Sequence, residues 1–246
     1  VRAIGNLLSR TVDQRDPQAR PAQTDVEDGG DRHGQLGSTR LSEEEAMPDD
    51  PNHARLRDFL AAMTALVTEE RDEARLLERG EPLLRGLIAA DDWLPDEFAA
   101  PHPDHYQQYL LHCDPLERFS VVSFVWGPGQ HTPIHDHTVW GLIGVLRGAE
   151  EAERFDPAQP TRETGRERLE AGDVDAVSPR IGDIHRVSNA LMDRASISIH
   201  VYGANIGAVV RHVFDPATGA SRRFVSGYAN ARLPNPWGRI APGIQG

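Results

Sequence analysis

The chain has 246 residues, with 38 acidic against 26 basic side chains, a net charge of -12 and a single cysteine. That balance argues against a nucleic-acid partner, whose phosphates select a basic surface. A lone cysteine excludes an internal disulfide framework and fits a reducing, cytoplasmic setting. The longest apolar runs, such as LIGVL at 142–146, are far too short to cross a bilayer.

Residues 1–50 are rich in Asp, Arg, Gln, Gly and Pro and carry the acidic run SEEEAMPDD. Such a stretch buries too little to offset its ordering entropy, so a disordered extension is expected there. No charged-then-apolar signal pattern opens the chain, and because it begins with Val its natural start is expected to lie elsewhere. The remainder, 51–246, reads as one domain. Leu56, Phe59, Leu60, Met63, Leu66 and Val67 recur at helical spacing within 54–79, and Leu83, Leu84, Leu87 and Ile88 mark a second, shorter helix ending near 90. A connector with Trp93, Phe98 and three prolines follows over 91–103. From residue 117 to about 228 the texture turns to β. RFSVVSFVW, WGLIGVLRG, DVDAV, ASISIHVYG and AVVRHVFD are short and β-branched or aromatic, with Gly, Pro, Asp and Asn between them. Strands at this spacing predict a sandwich or barrel. The tail from Ala229, with Pro234, Pro236 and Pro242, is expected to run extended over the surface.

Eleven histidines are present, and a lone histidine is usually a surface or hydrogen-bonded residue. Two of them have company. In GQHTPIHDH, His135 and His137 stand two apart, so a strand would turn both imidazoles to one face. Asp136 between them would face the other way, in a supporting or structural role. Downstream, GDIHRVSN places Gly182, His185 and Asn189 at fixed offsets. Gly-x5-His-x-His followed by Gly-x2-His-x3-Asn resembles the two halves of the cupin pattern. The resemblance implies a mainly β protein, a cupin jelly-roll barrel behind N-terminal helices, with His135 and His137 on one strand and His185 on a facing strand binding a metal inside. Cupins commonly carry a glutamate shortly after the second histidine; here Gly141 and Leu142 stand there. The ligand set is then three neutral imidazoles, which suit zinc, copper, iron and nickel alike. Ligating histidines need an outer acceptor, which the sequence does not name.

SISIHVYG sets Ser198, His200 and Tyr202 at alternate positions, hence on one face of a strand. Together with HDH and DIHRVSN, this resembles the cysteine dioxygenase family of thiol dioxygenases over roughly residues 55–230. The family holds Fe(II) by three histidines and adds both atoms of the cosubstrate O2 to a thiolate, giving a sulfinate. The resemblance makes His135, His137 and His185 the iron ligands and Ser198, His200 and Tyr202 a catalytic hydrogen-bonded triad around them. Mammalian-type members have a carboxylate-binding arginine where YQQY places Gln108, and a cysteine crosslinked to the tyrosine where Gly141 stands; Cys113 lies well before the ligands, so Tyr202 is expected to be unmodified. These departures resemble the bacterial 3-mercaptopropionate dioxygenases. In that group an arginine nine residues after the tyrosine is the candidate carboxylate partner, and Arg211 fits that offset. A structural ion-pair arginine is the other reading of Arg211. The implied reaction is oxidation of 3-mercaptopropionate to 3-sulfinopropionate, with a small thiol as the one partner and no protein partner evident. L-Cysteine is the alternative substrate. A zinc-dependent cupin isomerase and a non-catalytic cupin binding protein are the alternatives of other classes.

Overall fold

A computed structural model describes residues 51–237 of the protein. The expected extension over 1–50 and the end of the tail lie outside the described residues. Two helices come first, α1 (Pro51–Glu69) and α2 (Glu73–Ile88). The single helix expected over 54–79 is therefore broken, and its second part merges with the leucine-marked helix. The break has a local cause. Glu70 Oε1 accepts from the backbone N–H groups of Arg71 and Asp72, and the Asp72 carboxylate then caps α2 by accepting from Arg75 N–H at 3.1 Å. A carboxylate at that position satisfies donors the helix leaves open and restarts it in a new direction.

Eleven strands form two antiparallel sheets: β1 (Gln107–Cys113), β2 (Ser120–Trp126), β3 (Ile134–His135), β4 (Gly141–Arg147), β5 (Ala149–Asp156), β6 (Gln159–Glu170), β7 (Val174–Val177), β8 (His185–Asn189), β9 (Ser196–Tyr202), β10 (Arg211–Phe214) and β11 (Ser221–Phe224). One sheet has the order β1-β2-β9-β4-β7, the other β11-β10-β3-β8-β5-β6. The architecture is mainly β, two antiparallel sheets behind two helices, as expected. Its barrel starts earlier than expected, at Gln107 rather than near 117, because QQYLLHC pairs along β2 despite its polar residues. The hairpin β5–β6 was also absent from the sequence reading. Its strands are dense in Glu and Arg, and cross-strand ion pairs such as Arg166–Glu151 at 2.7 Å replace the apolar alternation that marks a strand in sequence.

The first sheet is buried on both faces. Along β2 and β9 every residue is buried, and alternation divides the two faces between different tasks. Val121, Val125, Ile197, Ile199 and Val201 point outward into a core shared with Leu60, Met63, Leu84 and Leu87 of the helices and Leu142 and Leu146 of β4. Gly80 of α2 meets β4 there; a Cβ on it would lie 2.8 Å from Leu142 Cδ1. The opposite face, with Val122, Phe124, Trp126 and Tyr202, meets Val187 of β8 in the barrel interior. The helices thus anchor the very strands that carry Ser198, His200 and Tyr202.

Leu84 is fully buried in that outer core. Leu84→Ala is expected to destabilise the protein by about 2–5 kcal/mol, read as a lower denaturant midpoint with an unchanged slope. A loss below the one-methylene scale of about 1 kcal/mol would show that α2 is not anchored through this contact.

Candidate metal centre

His135 ends β3, and its partner across the ladder is His185 at the start of β8. The third ligand thus comes from the neighbouring strand of the same sheet, not from a facing strand. β3 itself spans only two residues, so His137 lies just beyond it rather than on one strand with His135. The chain turns at Thr138, whose φ is 60°, and it is held there by Asp183. The Asp183 carboxylate accepts from His137 N–H at 3.0 Å, Thr138 N–H at 2.9 Å and His137 Nδ1–H at 2.9 Å. Burial pushes the Asp183 pKa up, but these bonds to His137 and Thr138 outweigh it, and the carboxyl titrates below its usual range.

The three rings form a triangle, with centroids 4.9, 4.8 and 4.8 Å apart, and their candidate ligand nitrogens lie within 4.8 Å of one another. His135 Nδ1 is 3.0 Å from Pro133 O. A carbonyl only accepts, so that nitrogen carries the proton and Nε2 keeps its lone pair. The same argument with Asp183 frees His137 Nε2. His137 Nε2 and His185 Nδ1 are buried without any hydrogen-bond partner. Burial, then the proximity of His137, lowers the pKa of both His135 and His185 far below the usual histidine value. Three imidazoles in one buried cluster, two of them with unmet nitrogens, fit a divalent metal. The acceptors that the sequence left unnamed are Asp183 and the Pro133 carbonyl. Asp183 sits inside the GDIH motif, where a carboxylate two residues before a ligand was the available signal. Asp136 is turned away and pairs with His212, accepting from its N–H at 2.7 Å and lying 2.8 Å from its Nδ1.

Ser198, His200 and Tyr202 share the inward face of β9, as alternation required. Tyr202 Oη is 2.8 Å from His200 Nδ1, and His200 Nε2 is 2.8 Å from Ser198 Oγ. The Tyr202 ring stacks on His137, centroids 5.3 Å apart. Burial raises the phenol's pKa well above its usual value, so Tyr202 is a proton donor at neutral pH. Gly141 pairs with Tyr202 across the ladder, and a Cβ added there would lie 2.9 Å from the ring. The phenol ring therefore fills the space beside the position where a cupin glutamate would begin. Cys113 is two strands away in the same row, through Ser120, and its Sγ faces Asp114 O at 3.6 Å.

Arg211 lies on β10, two residues before Val213, the partner of His135. It is 3 % exposed, and its charge acts on both His135 and Tyr202. Its guanidinium donates to Ser226 Oγ at 2.6 Å, lies over the Phe224 ring and leaves Nε without a partner. Among the described residues it closes no ion pair, although the Asp136 carboxylate is near enough for its charge to act on Arg211. Gln108 also reaches this end of the barrel. Its Nε2 donates to the same Ser226 Oγ at 3.1 Å and to Gly227 O at 3.0 Å. Ser226 thus joins the two substrate-binding candidates; nothing in the surrounding FVSGY marks it in sequence.

The model of the family described as cysteine dioxygenase type I matches residues 89–215, more than half of the chain. The chain belongs to the cysteine dioxygenase type I family. The matched stretch holds all three histidines, the triad, Gln108 and Arg211 of this family member. Similar solved structures include a conserved protein with a double-stranded β-helix domain from Klebsiella pneumoniae, 19% identical over 52% of this chain and 91% of that one, with TM-score 0.36. Others are a Thermus thermophilus protein (16% identity, 44% and 92% covered, TM-score 0.36) and a cupin superfamily protein from Desulfitobacterium hafniense (13%, 43% and 84%, TM-score 0.34). No helix among the described residues is long and apolar enough to cross a membrane.

If Asp183 orients His137, Asp183→Asn should weaken metal binding about 10- to 100-fold while the far-ultraviolet dichroism stays that of the native barrel. Competition against a chelator of known affinity measures it. Native affinity in this variant would mean that His137 is oriented by other means.

Proposed function

We propose that this protein is an Fe(II)-dependent thiol dioxygenase whose preferred substrate is 3-mercaptopropionate, converted with one O2 to 3-sulfinopropionate. Family membership supports the thiol dioxygenase chemistry. The observation that carries the substrate is Arg211, a buried guanidinium beside the histidine cluster that closes no ion pair among the described residues. A buried charge without a counter-ion is costly, so this pocket favours a ligand that brings a carboxylate.

His135, His137 and His185 would hold the iron, which when bound supplies a centre where thiolate and O2 meet and electrons pass from sulfur to oxygen. The protein's own groups do the rest. Arg211 can clamp the substrate carboxylate through charge-assisted hydrogen bonds, fixing the sulfur end toward the histidines. Gln108, joined to Arg211 through Ser226, can orient that carboxylate without balancing its charge. Tyr202, protonated and backed by His200, can donate a hydrogen bond to oxygen atoms forming beside it. Holding both reactants in one small enclosed site supplies much of the rate through proximity.

The geometry also favours a thiol without an amine. The carboxylates nearest the ligands are committed, Asp136 to His212 and Asp183 to His137. The ammonium of L-cysteine would find neither free and would lose hydration on entry. A reducing, cytoplasmic compartment, which keeps such a thiol reduced, suits this chemistry.

Oxygen consumption by the iron-loaded enzyme should therefore give kcat/KM in the order 3-mercaptopropionate, L-cysteine, cysteamine. Arg211→Ala should lower kcat/KM for the two carboxylate thiols about 10- to 100-fold, the worth of a charge-assisted hydrogen bond of roughly 1.5–3 kcal/mol, and affect cysteamine less. L-Cysteine emerging as the best substrate would overturn the substrate assignment. Equal losses on all three thiols would remove Arg211 as the carboxylate partner. No oxygen uptake with any thiol would return the protein to the isomerase or binding-protein class.

A further inference from the structure

The chain from Tyr202 through His200 to Ser198 continues inward. Ser198 Oγ receives the indole N–H of Trp126 at 3.4 Å. Beyond it lies Glu150, on β5, fully buried. The hydroxyls of Ser196 and Ser198 and the Trp126 indole are the groups that bear on this carboxyl, yet neither of its oxygens, nor Ser196 Oγ, closes a hydrogen bond of good geometry. Among the described residues the surrounding strands bring it no counter-charge. β6 and β8 present Leu169 and Asn189, β4 presents Val145 opposite Ser198, and Arg154, four residues along β5, is tied to Asp175. The Asn189 amide is itself engaged, donating to Trp126 O at 3.0 Å and Arg194 O at 2.9 Å. The titratable group facing Glu150 is His200, through Ser198.

We propose that Glu150 is the inner end of this hydrogen-bond chain and a positioning residue that sets which way the Tyr202 hydroxyl points. The inference rests on the reading of Tyr202 as a donor into the metal centre, and it follows from counting donors. The Trp126 indole only donates, while a hydroxyl has one proton and two lone pairs. When Glu150 is protonated it donates to Ser198 Oγ. The Ser198 proton then goes to His200 Nε2, His200 carries its own proton on Nδ1 and gives it to Tyr202 Oη, and the phenol proton is left for the reaction centre. When Glu150 loses its proton to solvent it can only accept. Ser198 then donates to Glu150, His200 takes the Nε2–H form and donates to Ser198, and its bare Nδ1 draws the Tyr202 proton away from the centre. One proton leaves at Glu150, and the chain rearranges without any further gain or loss. Burial, partly offset by the hydroxyl and indole neighbours, lifts the Glu150 pKa to about 8, so both arrangements fall within the working range of an enzyme.

The decisive measurement is the His200 tautomer, read by 15N NMR on the full-length chain loaded with zinc, a diamagnetic ion that imidazoles hold. In the wild type His200 should change from the Nδ1–H to the Nε2–H form as pH rises through about 8. In Glu150→Gln, whose amide can still donate to Ser198 but does not titrate, it should remain Nδ1–H. A tautomer that never changes in the wild type, or changes alike in both proteins, overturns the proposal. If Glu150→Gln fails to fold, infrared titration of the wild type decides: a buried carboxylic-acid band that disappears with the His200 transition supports the proposal, and its absence at neutral pH refutes it. With the iron-loaded enzyme, the alkaline fall of kcat that Glu150 imposes should be missing from Glu150→Gln. Because the tautomer is read without turnover, a failed dioxygenase reading leaves this test intact, and a failed tautomer test leaves oxygen uptake unchanged.

Discussion

Strand β9 is buried on both faces, and everything the barrel does depends on how it meets that constraint. A strand buried on two sides normally fills both with apolar residues. Here the outward set, Ile197, Ile199 and Val201, packs under the helices, while the inward set is Ser198, His200 and Tyr202. Polar groups placed there must satisfy one another or be costly, and at a spacing of two residues they can do so only in a line. The hydrogen-bonded line is therefore a requirement of the fold as much as a device of the site. The helices matter because they hold this strand in one register; a slip of one residue would send Ile and Val into the barrel and the triad into the apolar core.

The second sheet solves a different problem, placing three imidazoles around one point. The β3–β8 ladder does this for His135 and His185 without help, since they are direct cross-strand partners. It cannot do so for His137, which lies past the end of β3. Asp183 supplies what the ladder lacks, binding the backbone and the ring of His137 at once. This is why a carboxylate appears next to the cluster and not in it: its charge is spent on three N–H groups. The histidine cluster then stays free of protein anions, and the nearest unneutralised charge is the Arg211 cation. Such a centre carries a net positive field with no carboxylate inside the cluster.

Much of this was legible in sequence, and what was not has physical reasons. His135, His137, His185 and the Ser-His-Tyr face could be read because two-residue spacing translates directly into a shared face. The two-sheet barrel could be read where strands were β-branched. It could not be read over 107–113 or 149–170, where polar residues and ion pairs hide the alternation. Glu150 fell inside that hidden region, in the acidic run AEEAERFD, which looks solvated until the fold shows one member fully buried. Ser226 and Asp183 act through contacts with residues about 15 to 118 positions away, and no local pattern reports such distances. The short length of β3 was missed for the opposite reason: HDH is so regular in sequence that it suggests a strand through all three residues, whereas Asp183 ends it after His135.

Apart from Asp175 Oδ2 and Ser196 Oγ, the buried groups left without partners among the described residues divide by chemistry into three sets. Native interiors satisfy nearly all their polar atoms, so each exception calls for a cause. His137 Nε2 and His185 Nδ1 belong to the histidine cluster, Arg211 Nε to the cation beside it, and the Glu150 oxygens to a fully buried carboxyl on β5. All three sets are buried inside the protein. A barrel built only for stability would have filled each with a hydrocarbon side chain of similar volume. That polar groups are kept there instead marks this interior as a site and not merely as packing.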